Sequence, residues 1–573
     1  MTLKAPNYDQ LQAKKSKLAM SLESLSQSSS RSLPPVSLYV PYDGLEHIRS
    51  PEPFPNRTDE LKERIQSAGW DELQIEEYLL KYKHSLELLE LRLKYRPESL
   101  EAIRRFCNDL LSIPDSRTEE YIIYPLYLVI LLAFLAFLFG VTSCAGVSHF
   151  CRIYNPFLQA LIPCFPPPNR IISPDRVRYC LESIPPEEVH RIFQTYFVKV
   201  TIDADDLIDY QSGFLHGAVD PFFRDARPKQ RLETIGGDGQ TAEGAMRKGL
   251  FTRTCKGVEI STLNLCSHRV TLDYEITRKK NQETDAFIRM LLRLNKEFKD
   301  MFKRLKGAVF MCDALNTRTS LTELLLSLGL NFLLPVKRNA GNKRLYEQCE
   351  NGFNNASFED VPDKRLRPQT FNVVEHGRHE RYTISILPIT AIEDLSVNKH
   401  SGVQCIVRKV KVSQRLIKRA PLNEADEKRR QDSIKHGAMR AHPTTTYYIC
   451  SLPYCLETFL QVLDSISSYW AGVEAMHGKL DRYAGNQDEI RGCSDLNYLP
   501  NRIAINKMLL PIWSHLRQIE TRKKYAQSSY HPRKLDASKV PVSFHYVQRT
   551  MHDPLNLLDG LSSYLLANCL LAG

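Results

Sequence analysis

The order of short β-type runs and helical stretches between residues 231 and 337 constrains the fold more than any other feature. Three runs rich in β-forming and apolar residues come first: LETIGG before Asp238, GVEISTLNL at 257–265 and VTLDYEITRK at 270–279. A helical stretch, an apolar strand, a helix and a further strand follow: 284–305, GAVFMCDA at 307–314, 321–329 and NFLLPVK at 331–337. The predicted order is β-β-β-α-β-α-β, in which the first three strands form an antiparallel meander.

A long basic segment at 338–445 separates these elements from another strand, TTTYYICSL, and from a closing helix at about 456–482. Together they predict an α/β fold with a mixed sheet and the order β-β-β-α-β-α-β-insertion-α, which is that of an RNase H-like core. Helical periodicity at 59–112, and a helical pair that ends near Val198, predict an N-terminal all-α accessory region.

Three acidic residues occupy positions that such a core brings together at one edge of its sheet. Asp238 is expected at the end of the first strand, Asp313 at the end of the fourth, and Glu474 on the closing helix. Carboxylates are the hard oxygen ligands that Mg²⁺ prefers, and two such ions about 3.5–4 Å apart serve both oxygens in phosphodiester cleavage. We therefore predict a catalytic site in which these acids bind two metal ions.

Each acid also has an ordinary structural explanation. Asp238 followed by Gly239 is a common turn sequence, in which the glycine would let the backbone bend sharply off the strand. Asp313 could cap the N-terminus of a helix, and Glu474 could be a solvated helix residue. The element order, and not any single acid, favours the catalytic interpretation.

Basic residues recur after the fifth strand. The formal net charge of +11 favours a polyanionic partner, either nucleic acid or an acidic membrane surface. The residues that we expect to contact DNA phosphates are Lys337, Arg338, His376, Arg378 and Arg381. The cluster HGRHER at 376–381 could also be a surface strand end. The basic run from Lys409 to Arg430 is either a further set of DNA contacts or a solvated loop.

Residues 121–151 contain no Lys, Arg, Asp or Glu, and the central segment 122–141 is long enough to span a bilayer. Hydropathy alone therefore predicts a transmembrane helix. The flanks, however, show no decisive Lys/Arg asymmetry. A helix buried in a helical domain is the alternative.

The fourteen cysteines include no C-x-x-C pair and are interpreted as buried, reduced thiols, which indicates a reducing compartment. The first fifty-five residues are polar and Ser-rich, with Ser24 to Ser32 the densest part. They lack the apolar run of a signal peptide and are expected to form a disordered leader.

Motifs spread over about residues 120–510 resemble those of one family. They are Asp238-Gly239-Gln240-Thr241, Lys279 with Asn281, Asp313-Ala314, VKRN at 336–339, His376-Gly377-Arg378 with Glu380, YYICSL at 447–452, and Gly492, Asn497, Arg502, Ala504 and Asn506. In this order they are similar to elements of the H-repeat-associated branch of bacterial insertion-sequence DDE transposases: D-G-K-T, K-S-N-E, D-A, V-K-G-N, H-G-R-x-E and Y-Y-I-S-S-L, followed by single residues at family spacing.

The resemblance also bears on the apolar run. The family has an N-terminal accessory domain that opens with Y-P-L, continues as an apolar helix and ends in a G-x-x-S turn. Tyr124-Pro125-Leu126 and Gly140-Val141-Thr142-Ser143 occupy those positions. The run is therefore interpreted as a buried helix, and a membrane contact is not expected.

The third acid departs from the family pattern. An ungapped match of Tyr469–Asp481 to the family's closing helix, H-W-x-I-E-N-x-L-H-W-x-L-D, places Val473 instead of Glu474 on the catalytic Glu. The register is supported by Trp470, His477, Leu480 and Asp481. One residue turns a helical side chain by about 100°. Either a local bulge restores Glu474 to the site, or this chain has lost its third ligand.

The resemblance implies metal-dependent cleavage and strand transfer of an insertion sequence, with two Mg²⁺ or Mn²⁺ ions. It implies element ends and target DNA as partners, a homodimer or larger synaptic complex, and a bacterial, nucleoid-associated location in the cytoplasm. It adds Asn339, Trp470 and His477 to the expected DNA contacts. The alternatives are a catalytically inactive DNA-binding relic and a membrane-anchored protein.

The expected domains follow the chain. They are a leader at 1–55, a helical extension at 56–115, a helical transposase-associated domain at 116–225, the core at 226–337 and 446–515 with the basic insertion at 338–445 between its parts, and a C-terminal tail at 516–573.

Overall fold

Strands and helices are mixed in the computed structural model of the chain, so the expected α/β class is confirmed. The structure describes residues 56–95, 106, 110, 112–115, 117, 122–162, 165–166, 168–194, 232–242, 258–266, 270–277, 282–338, 341–375, 378–392, 400, 402–415, 443–474 and 498–527. The strands are β1 Thr234–Ala242, β2 Val258–Leu265, β3 Val270–Thr277, β4 Val309–Cys312, β5 Asn331–Val336, β6 Gln369–Glu375, β7 Arg378–Pro388, β8 Cys405–Arg415 and β9 Thr444–Cys450. The helices are α1 Thr58–Gln66, α2 Glu72–Tyr95, α3 Leu126–Leu138, α4 Cys144–Ile153, α5 Asn155–Leu161, α6 Pro174–Ser183, α7 Pro186–Phe193, α8 Glu283–Glu297, α9 Lys299–Arg304, α10 Thr319–Ser327, α11 Lys343–Asn355, α12 Leu456–Tyr469 and α13 Tyr498–Gln527.

The first five strands form one half of the sheet. β1, β2 and β3 pair antiparallel, as predicted for a meander, with Ile235 opposite Leu265 and Ile260 opposite Ile276. β4 and β5 run parallel to β1 and complete the order β3-β2-β1-β4-β5. Every residue of β4 is buried, which explains why its sequence, VFMC, does not alternate between polar and apolar residues.

Helices α8 and α12 cover opposite faces of this half-sheet. On one face Phe287 of α8 packs against Phe310 of β4, with ring centroids 6.0 Å apart. On the other face Tyr469 at the end of α12, and Val473 just beyond it, lie against Gly236 of β1. Because side chains alternate along a strand, Gly236 and every second residue from it face α12.

The segment between β5 and β9 widens the same sheet. β5 pairs antiparallel with β9, and β8, β7 and β6 continue the sheet as antiparallel strands. Helix α11 covers this half on the α8 side, where Tyr346 and Phe353 contact the ring of Tyr447 on β9. The strands of the basic insertion therefore belong to the same sheet as the five strands of the core.

Helix α3, which comes from the uncharged run, is buried over its whole length of 13 residues. At 1.5 Å per residue it is about 20 Å long, well short of the roughly 30 Å of a bilayer's hydrocarbon core. Among the described residues, no helix has both the length and the apolar character needed to cross a membrane. The interpretation of this run as a buried helix is confirmed.

The two motifs that flank α3 have clear structural roles. Before the helix, the Tyr124 hydroxyl donates a hydrogen bond of 2.7 Å to the carbonyl oxygen of Arg170 and so fixes the helix start. After it, Gly140 adopts a φ of 88°, a left-handed conformation that favours glycine. Ser143 then caps α4 by accepting a hydrogen bond of 3.1 Å from the Gly146 N–H.

Helix α13 completes the core around α3, although it lies at the far end of the chain. Trp513 is fully buried, and its Nε1 donates a hydrogen bond of 3.1 Å to the carbonyl oxygen of Leu138. The amide of Asn501 donates to two carbonyl oxygens at the end of α6, at 2.8 and 2.9 Å. Leu516, where the C-terminal tail was expected to begin, is still buried within this helix. The helix itself continues to Gln527.

Candidate active site

Asp238 and Asp313 lie side by side on neighbouring parallel strands. β1 pairs with β4 so that Gly237 is opposite Cys312. Asp238 is the residue after Gly237, and Asp313 is the residue after Cys312. Neighbouring strands are about 5 Å apart, so the two backbones are close at this point. The alternation of side chains places both acids on the face of the sheet against which α12 packs.

The position of Asp238 along its strand differs from the prediction. β1 continues through Asp238, which lies opposite Thr262, and ends at Ala242, so the expected strand end and the sharp turn at Gly239 are wrong. Continued pairing with β2 keeps this glycine-rich segment extended. Gly239 has another role, because a Cβ atom at this position would collide with the carboxylate of Glu283.

Asp313 follows β4 directly at the edge of the sheet, as expected. Its Oδ1 accepts a hydrogen bond from Lys337 Nζ at 2.8 Å, and its side chain is 42% exposed. Asp313 precedes the short 3-10 helix Ala314–Asn316 but makes no side-chain capping bond to it. The alternative in which this carboxylate serves as a helix cap is therefore not supported.

Helix α12 changes into a π-helical turn at Trp470–Glu474. Such a turn inserts a residue into the helical repeat, and it is the kind of local bulge that one of the two alternatives for Glu474 required. Val473 is buried against Gly236, which agrees with the register that assigns Val473 the inward position. Glu474 ends the turn, and its side chain lies outside the described residues.

Gly472 lets this π-helical turn approach the sheet. A Cβ atom at Gly472 would lie 2.6 Å from the Cα atom of Cys266, the residue that follows β2. Backbone atoms cannot rotate away as a side chain can, so the turn itself would have to move. Gly472 was not predicted to have a role, and the available signal was a glycine inside a helical pattern.

Replacing Gly472 with alanine is expected to lower the free energy of unfolding by about 1–3 kcal/mol, because overpacking forces a backbone shift. Urea unfolding followed by circular dichroism measures the change. Gly352→Ala on α11 is the matched control, since its nearest atom would be Ile392 Cγ1 at 3.4 Å and alanine favours a helix. Equal losses in the two variants would contradict the close approach at Gly472.

Two titratable groups beneath the acids stay neutral. Burial raises the pKa of Cys312 well above its usual value, and the nearby carboxylates of Asp313, Glu283 and Asp238 raise it further. Burial, and after it the negative charge of Asp238, raises the pKa of Tyr469 well above its usual value. The negative charge of this region therefore comes from its carboxylates.

Glu283, in the first turn of α8, is a further carboxylate that the sequence analysis missed. Its Oε2 accepts a hydrogen bond of 2.7 Å from Asn316 Nδ2, and Asn316 Oδ1 accepts one of 2.8 Å from Thr284 Oγ1. It lies against Gly239 on the α8 face, opposite the face of Asp238. Acidic residues are favoured at helix N-termini by the helix dipole, so nothing in the sequence distinguished this one.

The donor set at this edge fits a divalent cation. Mg²⁺ is commonly held by one or two carboxylates, while waters and substrate phosphates complete its coordination. The positively charged Lys337 ammonium group already lies 2.8 Å from Asp313 Oδ1, an oxygen that would bind the metal ion. Within the described residues, no three His, Cys, Asp or Glu side chains form a closed metal site. An ion held by Asp238 and Asp313 alone would therefore take further ligands from water or substrate.

The expected DNA contacts divide between the two faces of the sheet. Trp470 is 41% exposed on the face of the acids. Arg338 forms an ion pair of 3.2 Å with Glu347. Arg381 is exposed on β7. Its neighbour Tyr382 belongs to the buried apolar cluster under α12, so Arg381 points to the other face of the sheet, away from the acids. The candidates that lie outside the described residues are Asn339, His376, His477 and the side chain of Arg378.

Comparison with known proteins gives a family match over part of the chain. Among solved structures, the chain is similar to a piggyBac transposase synaptic complex with hairpin DNA, with a TM-score of 0.30 and 11% identity over 81% of this chain and 78% of that chain. The search of curated proteins finds no match. Residues 107–197, which include helices α3 to α7, match the DDE_Tnp_1-associated family. The resemblance to DDE transposases is thus confirmed at the level of this associated region.

Proposed function

We propose that the chain is a DDE-type DNA transposase, which cleaves DNA strands at the ends of an insertion sequence and joins them to target DNA. The observation that carries the proposal is the placement of Asp238 and Asp313 side by side on parallel strands, on the face covered by α12. The family match at 107–197 supports the same class. From the resemblance of its sequence motifs, the H-repeat-associated bacterial branch is the proposed subgroup.

The proposed core is RNase H-like. Its support is the order β3-β2-β1-β4-β5, with an antiparallel meander followed by two strands parallel to β1. In this proposal β6, β7 and β8 are an insertion that extends the sheet before the closing helix α12. The helices α3 to α7 form the accessory region, to which α13 returns.

The proposed catalytic residues are Asp238, Asp313 and Glu474, and the same three would bind two Mg²⁺ or Mn²⁺ ions. Such ions supply an activated oxygen nucleophile and stabilise the charge that develops on the leaving oxygen. Asp238 and Asp313 provide the carboxylates, and the π-helical turn brings the backbone of Glu474 past the same face. Burial of Val473 against Gly236 fixes the position of that turn.

Lys337 has two possible partners in this proposal. Its ammonium contacts Asp313 Oδ1, and the side chain is 57% exposed. Lysine has a flexible stem and a compact charge, so it can leave the carboxylate for a DNA phosphate that enters the site. Lys337 would therefore hold Asp313 in place before DNA binds and contact the DNA backbone afterwards.

The other proposed DNA contacts are Arg338, Asn339, His376, Arg378, Arg381, Trp470 and His477. The proposed partners are the element ends and target DNA, brought together by a homodimer or a larger synaptic complex. The proposed location is the bacterial cytoplasm, in association with the nucleoid. The net charge of +11 supports a polyanionic partner.

A cleavage assay tests the function. The full-length protein is incubated with end-labelled duplexes that carry the terminal sequences flanking its own gene, with Mg²⁺, Mn²⁺ or EDTA. We expect site-specific nicks that depend on the metal ion, because carboxylate-bound ions are needed for the chemistry. Scrambled duplexes of equal length serve as the control for end recognition.

A second candidate function is DNA binding without cleavage. It is favoured by one observation, the burial of Val473 in the inward position where the family has its catalytic Glu. Retained binding of the terminal duplexes, with no nick under either metal ion, would establish this candidate and overturn the enzyme.

A further inference from the structure

Lys409 on β8 is a buried lysine in an aromatic setting. It is only 7% exposed, and its Nζ lies 5.7 Å from the ring centroid of Tyr448 and 5.7 Å from that of Trp470. Lysine is almost never this buried unless its charge is paired. The two rings supply cation–π attraction, which offsets part of the cost of removing the ammonium group from water.

The charge of Lys409 has no anionic partner in the part of the chain that the structure describes. Two other lysines on the same face are paired: Lys411 lies 2.9 Å from Glu380, and Lys337 lies 2.8 Å from Asp313. Among the described residues Lys409 makes no comparable ion pair or hydrogen bond, although it lies on the same strand as Lys411 and two strands from Lys337. Within the described part of the chain, this face therefore carries a buried lysine whose charge no acidic side chain balances.

The sheet register fixes where this cation lies relative to the acids. Lys409 is opposite Thr446 on β9, and Val336 at the end of β5 is opposite Tyr447. Lys337, the next residue after Val336, is therefore level with Thr446. Adjacent strands are about 5 Å apart, so the backbone of Lys409 lies two strands, or about 10 Å, from that of Lys337.

We propose that Lys409 binds a backbone phosphate of the DNA, with Tyr448 and Trp470 as the walls of the subsite. The inference rests on the proposed function, because it takes DNA as the ligand. It singles out one residue of the basic run at 409–430, which at this point is strand β8 and not a solvated loop. Trp470 is 41% exposed, which leaves one side of the subsite open to an incoming strand.

The surroundings make this lysine an effective phosphate ligand. The two rings restrict the ammonium group to one position, so little side-chain freedom is lost when the phosphate arrives. Attraction between opposite charges is also stronger where water is excluded than at a fully exposed lysine. A DNA strand lying across the edge from Asp313 and Lys337 towards β8 would bring a phosphate to this position.

The test measures how DNA affinity depends on salt for Lys409→Met. Fluorescence anisotropy with a labelled terminal duplex is recorded in Ca²⁺ from about 50 to 300 mM KCl. Each lost phosphate contact lowers the slope of log affinity against log salt by about 0.9, and affinity by about tenfold at 0.1 M salt. We expect this loss for Lys409→Met and its recovery in Lys409→Arg.

The charge-matched control is Lys303→Met on α9. This lysine is 69% exposed, is paired with Asp300 and precedes the start of β4, at the sheet edge opposite Asp313. Its salt slope should equal that of the wild type. Thermal melting is recorded for every variant, and Lys409→Gln replaces Lys409→Met if the latter does not fold.

A wild-type salt slope in the folded Met or Gln variant would overturn the proposal and leave Lys409 as a packing residue. The result is separable from the proposed catalysis. If the wild type binds DNA but does not cut it, a reduced slope still supports the phosphate subsite. If the wild type binds no DNA at any salt concentration, the subsite and the transposase both fail.

Discussion

Replacing Asp313 with asparagine is expected to reduce metal-dependent strand cleavage by on the order of a thousandfold or more. The amide keeps the shape of the side chain but removes the negative charge that would attract the ion and that Lys337 now neutralises. DNA affinity should change by less than about threefold, because the lost charge repels phosphate rather than binding it. Single-turnover cleavage of a labelled terminal duplex measures the rate.

Three further variants make this prediction specific. Asp300→Asn removes an exposed acid that is paired with Lys303 on α9, and cleavage should stay within about twofold of the wild type. Asp313→Cys should cut poorly with Mg²⁺ and better with Mn²⁺, since a thiolate suits softer ions. Asp238→Asn should match Asp313→Asn. Cleavage by Asp313→Asn at the wild-type rate would refute a role for the paired acids.

The core of the candidate site could be predicted from sequence because its signals are local. VFMC is apolar at every position and stops at Asp313, so both its burial and the location of the acid at its end follow from four residues. The antiparallel meander was predictable for the same reason. Asp238 was harder, since TIGGDG has few β-formers, and only pairing with β2 shows that the strand continues to Ala242.

The parts of the site that were missed depend on contacts between distant segments. Lys409 can be recognised as a buried lysine between two rings only when the pairing of β8 with β9 and the position of Trp470 in the π-helical turn are known. Glu283 is notable only because it packs against Gly239, which belongs to another element. The periodicity of apolar residues cannot predict such contacts. It indicates which face of a helix or strand is buried, but not which other element covers that face.

The accessory region shows the same limit. Hydropathy identified the apolar run and left a membrane span open, while the resemblance favoured a buried helix. Helix α13 packs on that helix together with α4 and α6, and the sequence pattern of α13 gave no indication of this contact. Arg502 illustrates the point, because this charged residue is almost fully buried with its guanidinium over the ring of Phe137 in α3. The run is thus kept from solvent in part by a helix that lies far along the chain.

Replacing Trp513 with alanine is therefore expected to destabilise the accessory region by about 3–5 kcal/mol. The side chain is fully buried, its loss leaves a cavity against α3, and the carbonyl oxygen of Leu138 loses its donor. Urea unfolding followed by circular dichroism measures the loss. Limited proteolysis locates it, with new cleavage expected between α3 and α7.

Trp470→Ala is the matched control for Trp513→Ala, because it removes the same side chain from a position that is 41% exposed. Its cost to stability should be about 1–2 kcal/mol, well below that of Trp513→Ala, because the partly exposed ring loses its contacts with Lys409 and Tyr469. A small loss in Trp513→Ala would mean that α13 is not needed to cover α3. The expected large loss would make the last described helix a required part of the N-terminal region, and residues 107–197 would not form a stable unit without it.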